Sequence, residues 1–169
     1  MSRAPHKERP PAHWPTAIGL TGPNAAGKGE VAAYLMTRGY GYHSLSDVVR
    51  QEAADRGLDS SRENLVRVGN ELRQTGGPGI LVRRLLSHLA LPAVIDSVRN
   101  PGEAEALAQL DRFVLLAVEA PASLRFRRIQ ARGRLGDIAS LEEFRRFENR
   151  ENSASGVEQR IKATMEKAD

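Results

Sequence analysis

Apolar positions along the chain alternate between two textures. Four short continuous runs, "TAIGL" (Thr16 to Leu20), "YGYHSL" (Tyr40 to Leu45), "PAVID" (Pro92 to Asp96) and "RFVLLAV" (Arg112 to Val118), read as strands. Between them apolar residues recur at helical spacing: Val31, Ala32, Leu35 and Met36 in a segment from Lys28 to Thr37 that Gly39 stops, then Val48 and Val49, then Leu65, Val68 and Leu72. Helix starts carry local chemistry. Ser44 with Asp47, Ser60 with Glu63 and Ser140 with Glu143 match S-x-x-[DE], Asn100-Pro101 precedes Glu103, and Pro78 and Pro121 suit first turns. The last capped segment is expected to bury Leu141, Phe144 and Phe147. Strands alternating with helices predict an α/β domain with a parallel sheet covered on both faces and ligands at the carboxyl ends of its strands. Residues 1–15, with four prolines and four charged residues, predict a disordered or extended leader before a domain over residues 16–169.

The stretch "GPNAAGKGE", Gly22 to Glu30, lies between the first strand and the first helix and fits G-x-x-x-x-G-K. A loop entering a helix directs consecutive backbone N–H groups at one spot, where the helix dipole also favours an anion. Gly22, Asn24, Ala25, Ala26, Gly27, Lys28, Gly29 and Glu30 are therefore candidates for holding nucleotide phosphates. The N–H groups of residues 25–30 are the expected donors, and Lys28 is expected to reach the β- and γ-phosphates. Gly29 and Glu30 follow the lysine where a hydroxyl that binds magnesium is usual. The other strand ends carry Asp47 and Asp96.

With "GKG" after Pro23, the loop resembles that of the adenylate kinase-like branch of P-loop kinases. It is closer to a nucleotide kinase-like family, common in archaea, with a "GKGE" loop. That family's further motifs have counterparts in "SLSD" (Ser44 to Asp47), "RENL" (Arg62 to Leu65), "GPG" (Gly77 to Gly79) and "DSVR" (Asp96 to Arg99). The resemblance implies a three-layer αβα P-loop NTPase fold with strand order 2-3-1-4-5, and ATP and Mg²⁺ as cofactors. It also implies phosphoryl transfer to a small phosphorylated acceptor, a nucleoside or deoxynucleoside monophosphate. By the same resemblance residues 125–140 form a lid, Arg128, Arg132 and Arg134 meet the ATP phosphates, and Asp96 orders Mg²⁺ through water. Arg50 and Arg99 hold the acceptor. Asp47 serves there or only caps a helix, and Arg73 joins the cluster or faces solvent. The family continues into a fifth strand where this sequence ends at "KATMEKAD", so a longer protein with a downstream fused domain is expected.

Composition changes the picture in two places. Of 25 basic residues 21 are Arg, and Lys28 is the only lysine between Glu8 and Ile161, which sets that ammonium apart from its surroundings. The net charge of +4 would suit a nucleic-acid partner, but few aromatics and basic residues spread over many helices argue against one. No Cys, no long apolar run and no secretory signal imply a soluble, cytoplasmic protein without a membrane partner. Two rival readings stay open: a nucleotide-sensing module that regulates a following domain, and a dephospho-coenzyme A kinase. The second lacks its usual paired aspartates after strand two.

Overall fold

The computed structural model describes residues 10–133, 140–152 and 160–169. Its strands are β1 (Ala17–Thr21), β2 (Gly41–Ser44), β3 (Ala93–Val98) and β4 (Phe113–Ala117). They form one parallel sheet of order β2-β3-β1-β4, the expected 2-3-1-4 arrangement. The helices are α1 (Lys28–Thr37), α2 (Leu45–Asp55), α3 (Arg62–Gly76), α4 (Ile80–Leu86), α5 (Pro101–Leu107), α6 (Ala122–Ala131), α7 (Leu141–Asn152) and α8 (Ile161–Met165). The apolar pattern did not mark α8.

Alternation along the buried strands builds two cores. Ala17, Ala93, Ile95 and Leu115 meet Val49, Val68, Leu72, Leu81 and Leu107 from α2 to α5 on one face. Ile18, Leu20 and Val94 meet Ala32 and Leu35 of α1 on the other. Every residue of β1 is buried, as expected for a central strand of a sheet covered on both sides. At Gly19 a Cβ would lie 2.8 Å from the Phe113 ring and 2.9 Å from Leu115 Cδ1, so the missing side chain is the space those residues fill.

The expected caps at Asn100–Glu103 and Ser140–Glu143 are present as reciprocal hydrogen bonds. Helix α3 starts one residue later than expected. Asp59 Oδ1 accepts from the Ser61 N–H at 2.9 Å, and Ser61, not Ser60, caps the helix by accepting from Asn64 N. β3 also runs past Asp96 to Val98, with a register shift against β1 and Ser97 at φ 66°. Asp96 Oδ1 takes the Ser97 N–H at 2.6 Å, which fixes that left-handed turn of the backbone.

Pro11 to Pro15 lie along the body. Trp14 packs on the α1 side of the sheet, Tyr40 donates to the Pro15 carbonyl at 2.6 Å and Arg112 donates to that of Ala12. Leu115 in the edge strand β4 accepts from Asp169 N at 3.0 Å and donates to the Asp169 carboxylate at 2.9 Å. Residues 1–9, Arg134 with most of the expected lid's second half, and residues 153–159 lie outside the described residues. No helix among the described residues is long and apolar enough to cross a membrane.

Ile95 is fully buried in β3, between β1 and β2. Ile95→Ala is expected to cost about 2–5 kcal/mol, read as a lower urea midpoint at unchanged slope.

Candidate active site

The turn from β1 into α1 is made by residues whose backbone only glycine adopts readily. Gly22 has φ 128° and Gly27 φ 121°, and a Cβ at Gly22 would sit 2.1 Å from the Val118 carbonyl oxygen. Ala25 takes the left-handed region at φ 59°. The Ala26 N–H turns inward to the Pro23 carbonyl and the Glu30 N–H to that of Gly27. This corrects the expected donor set. The N–H groups of Asn24, Ala25, Gly27, Lys28 and Gly29 have no acceptor among the described residues. Five such donors grouped at a helix start form a ready anion cradle.

Lys28 Nζ donates to the carbonyls of Gly22 (2.7 Å) and Pro23 (2.9 Å), so the ammonium rests inside the loop it serves. Burial pulls its pKa down to about 8. The Asp96 carboxylate opposes that shift, and Arg99 and Arg125 add to it. Asp96 uses one oxygen for Ser97 N and the other for the Tyr42 hydroxyl at 3.2 Å. Burial and the negative charge of Asp96 raise the Tyr42 pKa, keeping the phenol a donor.

The loop opens into a cavity of about 740 Å³. Of the expected site residues, Asn24, Ala25, Gly27, Lys28, Gly29, Glu30, Arg50, Arg73, Arg99, Asp96 and Arg132 line it. The lining carries Lys28, Arg50, Arg62, Arg73, Arg99 and Arg132 with the carboxylates Glu30 and Asp96, while Glu103 and Asp47 pair Arg73 and Arg50 from outside it, so cationic groups predominate and suit an anion.

Two expectations, for Asp47 and Arg128, need correction, and of the two readings of Arg73 the one that puts it in the cavity cluster holds. Asp47 lines a different hollow, between α2 and α4, and bonds Arg50 at 2.5 Å, because Ser46, Val49 and Arg50 form the face of α2 turned to the cavity. Arg73 neither faces solvent nor stands as an uncommitted ligand: it is buried in an ion pair with Glu103 at 2.8 Å. Arg128 does not line the cavity but holds the loop from behind, with Nη1 donating to the carbonyls of Ala25 (2.9 Å) and Ala26 (3.1 Å). Arg125, in the same helix, is committed to Glu148 and lies over the Phe144 ring. Arg134 lies outside the described residues. Sequence reasoning passed over Ser46, Arg62 and Ser97, all of which line the cavity and all of which sit inside the quoted motifs "SLSD", "RENL" and "DSVR".

No cluster of three or more potential metal ligands occurs among the described residues. Asp96 and Glu30 are the carboxylates beside the loop, and each carboxylate oxygen has a second lone pair for water. That donor set fits Mg²⁺, which keeps most of its waters and is held chiefly by phosphate oxygens.

A parallel sheet of order 2-3-1-4, with a G-x-x-x-x-G-K loop between β1 and α1, defines a P-loop kinase-like domain. The family model described as "AAA domain" matches residues 18–159. A UPF0200 protein of Methanosarcina barkeri is 31% identical over 163 residues, covering 88% of each chain. A UPF0200/UPF0201 protein of Archaeoglobus fulgidus is 34% identical over 160 residues, covering 90% of this chain. This chain spans 48% of that Archaeoglobus relative. The chain belongs to the UPF0200 family, a P-loop kinase-like family of archaeal proteins. Two solved structures share the fold. TT1252 of Thermus thermophilus has a TM-score of 0.56 at 24% identity, covering 92% of this chain and 86% of its own. A shikimate kinase of Acinetobacter baumannii has a TM-score of 0.51 at 15% identity, covering 81% and 74%.

A polyanion beside Lys28 should raise its pKa again. Calorimetry in buffers of different ionisation heat should show ATP binding taking up a fraction of a proton at pH ~8 to 9, where the free lysine is partly neutral. Lys28→Met should abolish that uptake.

Proposed function

We propose that the chain is an ATP-dependent kinase that moves the γ-phosphoryl group to a small phosphorylated acceptor, a nucleoside or deoxynucleoside monophosphate. The observation that carries this reading is the loop itself: five N–H groups without an acceptor among the described residues around a half-buried lysine, opening into a cavity rich in arginine. In the proposed reaction an acceptor phosphate oxygen attacks the γ-phosphorus, and the bond to the β-phosphate oxygen breaks. ADP leaves with the electron pair. Catalysis then consists of holding donor and acceptor in line and neutralising the transferring oxygens.

In this reading the loop N–H groups hold the β- and γ-phosphates, and Lys28 leaves the Gly22 and Pro23 carbonyls for them. Arg132 approaches the transferring group from the end of α6, while Arg128 keeps the loop carbonyls turned away from the cradle. Magnesium bound to the nucleotide would neutralise phosphate charge, with Asp96 holding its waters and Glu30 near enough to assist. Arg50 and Arg99 take the acceptor phosphate, and Leu45, Val49, Leu65 and Leu81 give an apolar wall for the rest of that ligand.

The orientation of Asp47 bears on acceptor class. An alcohol must lose a proton to attack, whereas a phosphate monoester is already ionised at neutral pH and needs no base. With Asp47 turned away and both Asp96 oxygens already accepting from Ser97 N–H and the Tyr42 hydroxyl, Glu30 is the other carboxylate in a largely cationic lining, which suits a phosphate acceptor.

The test is ADP release from MgATP across nucleoside and deoxynucleoside monophosphates, dephospho-coenzyme A and shikimate. A monophosphate should stimulate ADP release, and Lys28→Ala should lose about 10²-fold or more of that rate. A folded chain that binds ATP yet gives the same ADP release with every acceptor contradicts the reading and favours a nucleotide-sensing module.

A further inference from the structure

The ion pair at the cavity wall is an expensive element that the transfer reaction above does not use. Glu103 is 0% and Arg73 3% exposed. Desolvating two charges costs several kcal/mol each, and replacing such a pair with apolar residues of like volume is often neutral or stabilising. Fold stability alone is therefore a poor explanation for it, and the bonding geometry offers a better one.

Glu103 divides its two oxygens between two structures. Oε1 accepts from Arg73 Nε at 3.0 Å and Nη2 at 2.8 Å. Oε2 accepts from the backbone N–H groups of Arg99 at 2.8 Å and Asn100 at 3.1 Å. The Arg99 carbonyl accepts in turn from Arg160 N, at the start of α8, at 2.8 Å. The backbone of Arg99 is thus held on both sides. One carboxylate joins α3, the β3–α5 turn and α5. Arg73 and Arg99, the two arginines it fixes, both line the cavity.

Gly69 shows how the wall is fitted to this pair. It lies one helical turn before Arg73 and also lines the cavity, and a Cβ there would be 3.2 Å from Arg73 Nη1. With Nε and Nη2 taken by Glu103, Nη1 is the nitrogen left beside the lining.

We propose that Glu103 is the positioning residue of the acceptor half of the cavity. Its carboxylate fixes the Arg99 backbone and the Arg73 fork before a ligand arrives, so that a phosphate meets a preset pair of cations. This rests on the acceptor reading above and adds to it a residue that touches neither substrate. Preset donors spare the ordering cost that flexible arginines would otherwise incur on binding.

The experiment compares the wild-type chain with Glu103→Gln and with the double variant Arg73→Met/Glu103→Leu. Glu103→Gln keeps an oxygen for the Arg99 and Asn100 N–H groups but removes the ionic acceptor of Arg73. The double variant removes both charges at similar volume, so that folding and positioning separate. Each protein is first checked for a cooperative melt. It is then saturated with a non-hydrolysable ATP analogue and titrated with the nucleoside and deoxynucleoside monophosphates. Monophosphate affinity should fall about 10-fold or more in Glu103→Gln and further in the double variant, while analogue affinity stays within about 2-fold. Wild-type monophosphate affinity in folded Glu103→Gln overturns the proposal, whatever the double variant does, because loss in the latter alone would report only the missing Arg73. Equal loss of both ligands also overturns it, because a merely structural role would act that way. A wild-type chain that binds the analogue but no monophosphate overturns the acceptor reading and this inference with it. Binding without ADP formation removes the transfer step alone and supports the positioning role.

Discussion

The closeness of Gly22 to the end of β4 is the constraint on which the site depends. Val118 N–H donates to the Thr21 carbonyl at 2.9 Å, and the chain must then turn where a Cβ would lie 2.1 Å from the Val118 oxygen. Only a residue without a side chain passes there at φ 128°. From that turn follow the inward bonds of Ala26 and Glu30, the five N–H groups left without acceptors among the described residues, and the return of Lys28 onto the Gly22 and Pro23 carbonyls. Arg128 completes the arrangement by holding the Ala25 and Ala26 carbonyls on the far side.

Charge in this molecule is divided by function. Arg125 is spent on Glu148 and Arg128 on loop carbonyls, so each arranges protein, while Arg73 is paired with Glu103 at the cavity wall. Arg62, Arg99 and Arg132 line the cavity, and so does Arg50, which Asp47 pairs from outside it. Burial of Lys28 beside Arg99 and Arg125 lowers its pKa, and an anionic ligand relieves both costs together.

Much of the fold was legible because its signals are local. Val31, Ala32, Leu35 and Met36 set α1 to its observed bounds of Lys28–Thr37, and the Asn100–Glu103 cap lies within four residues. The glycine loop was legible for the same reason. What escaped depends on contacts distant in sequence or on rotation about a helix axis. Spacing placed Asp47 and Arg50 one turn apart on α2 but not which face of that helix meets the loop. Arg73 could not be read as buried, because Glu103 lies 30 residues away. The continuation of β3 past Asp96 depends on the Asp96 side chain capturing the Ser97 N–H, which no strand pattern encodes. Helix α8 is five residues long, too short for periodicity to mark.

The most direct measurement of the central claim is a calorimetric titration of the intact chain with MgATP, repeated in the presence of inorganic triphosphate. The account predicts one site per chain, and competition by triphosphate, because recognition runs through phosphates held by the loop and Lys28. Absence of binding by the folded protein, or ATP binding that triphosphate leaves untouched, would contradict it.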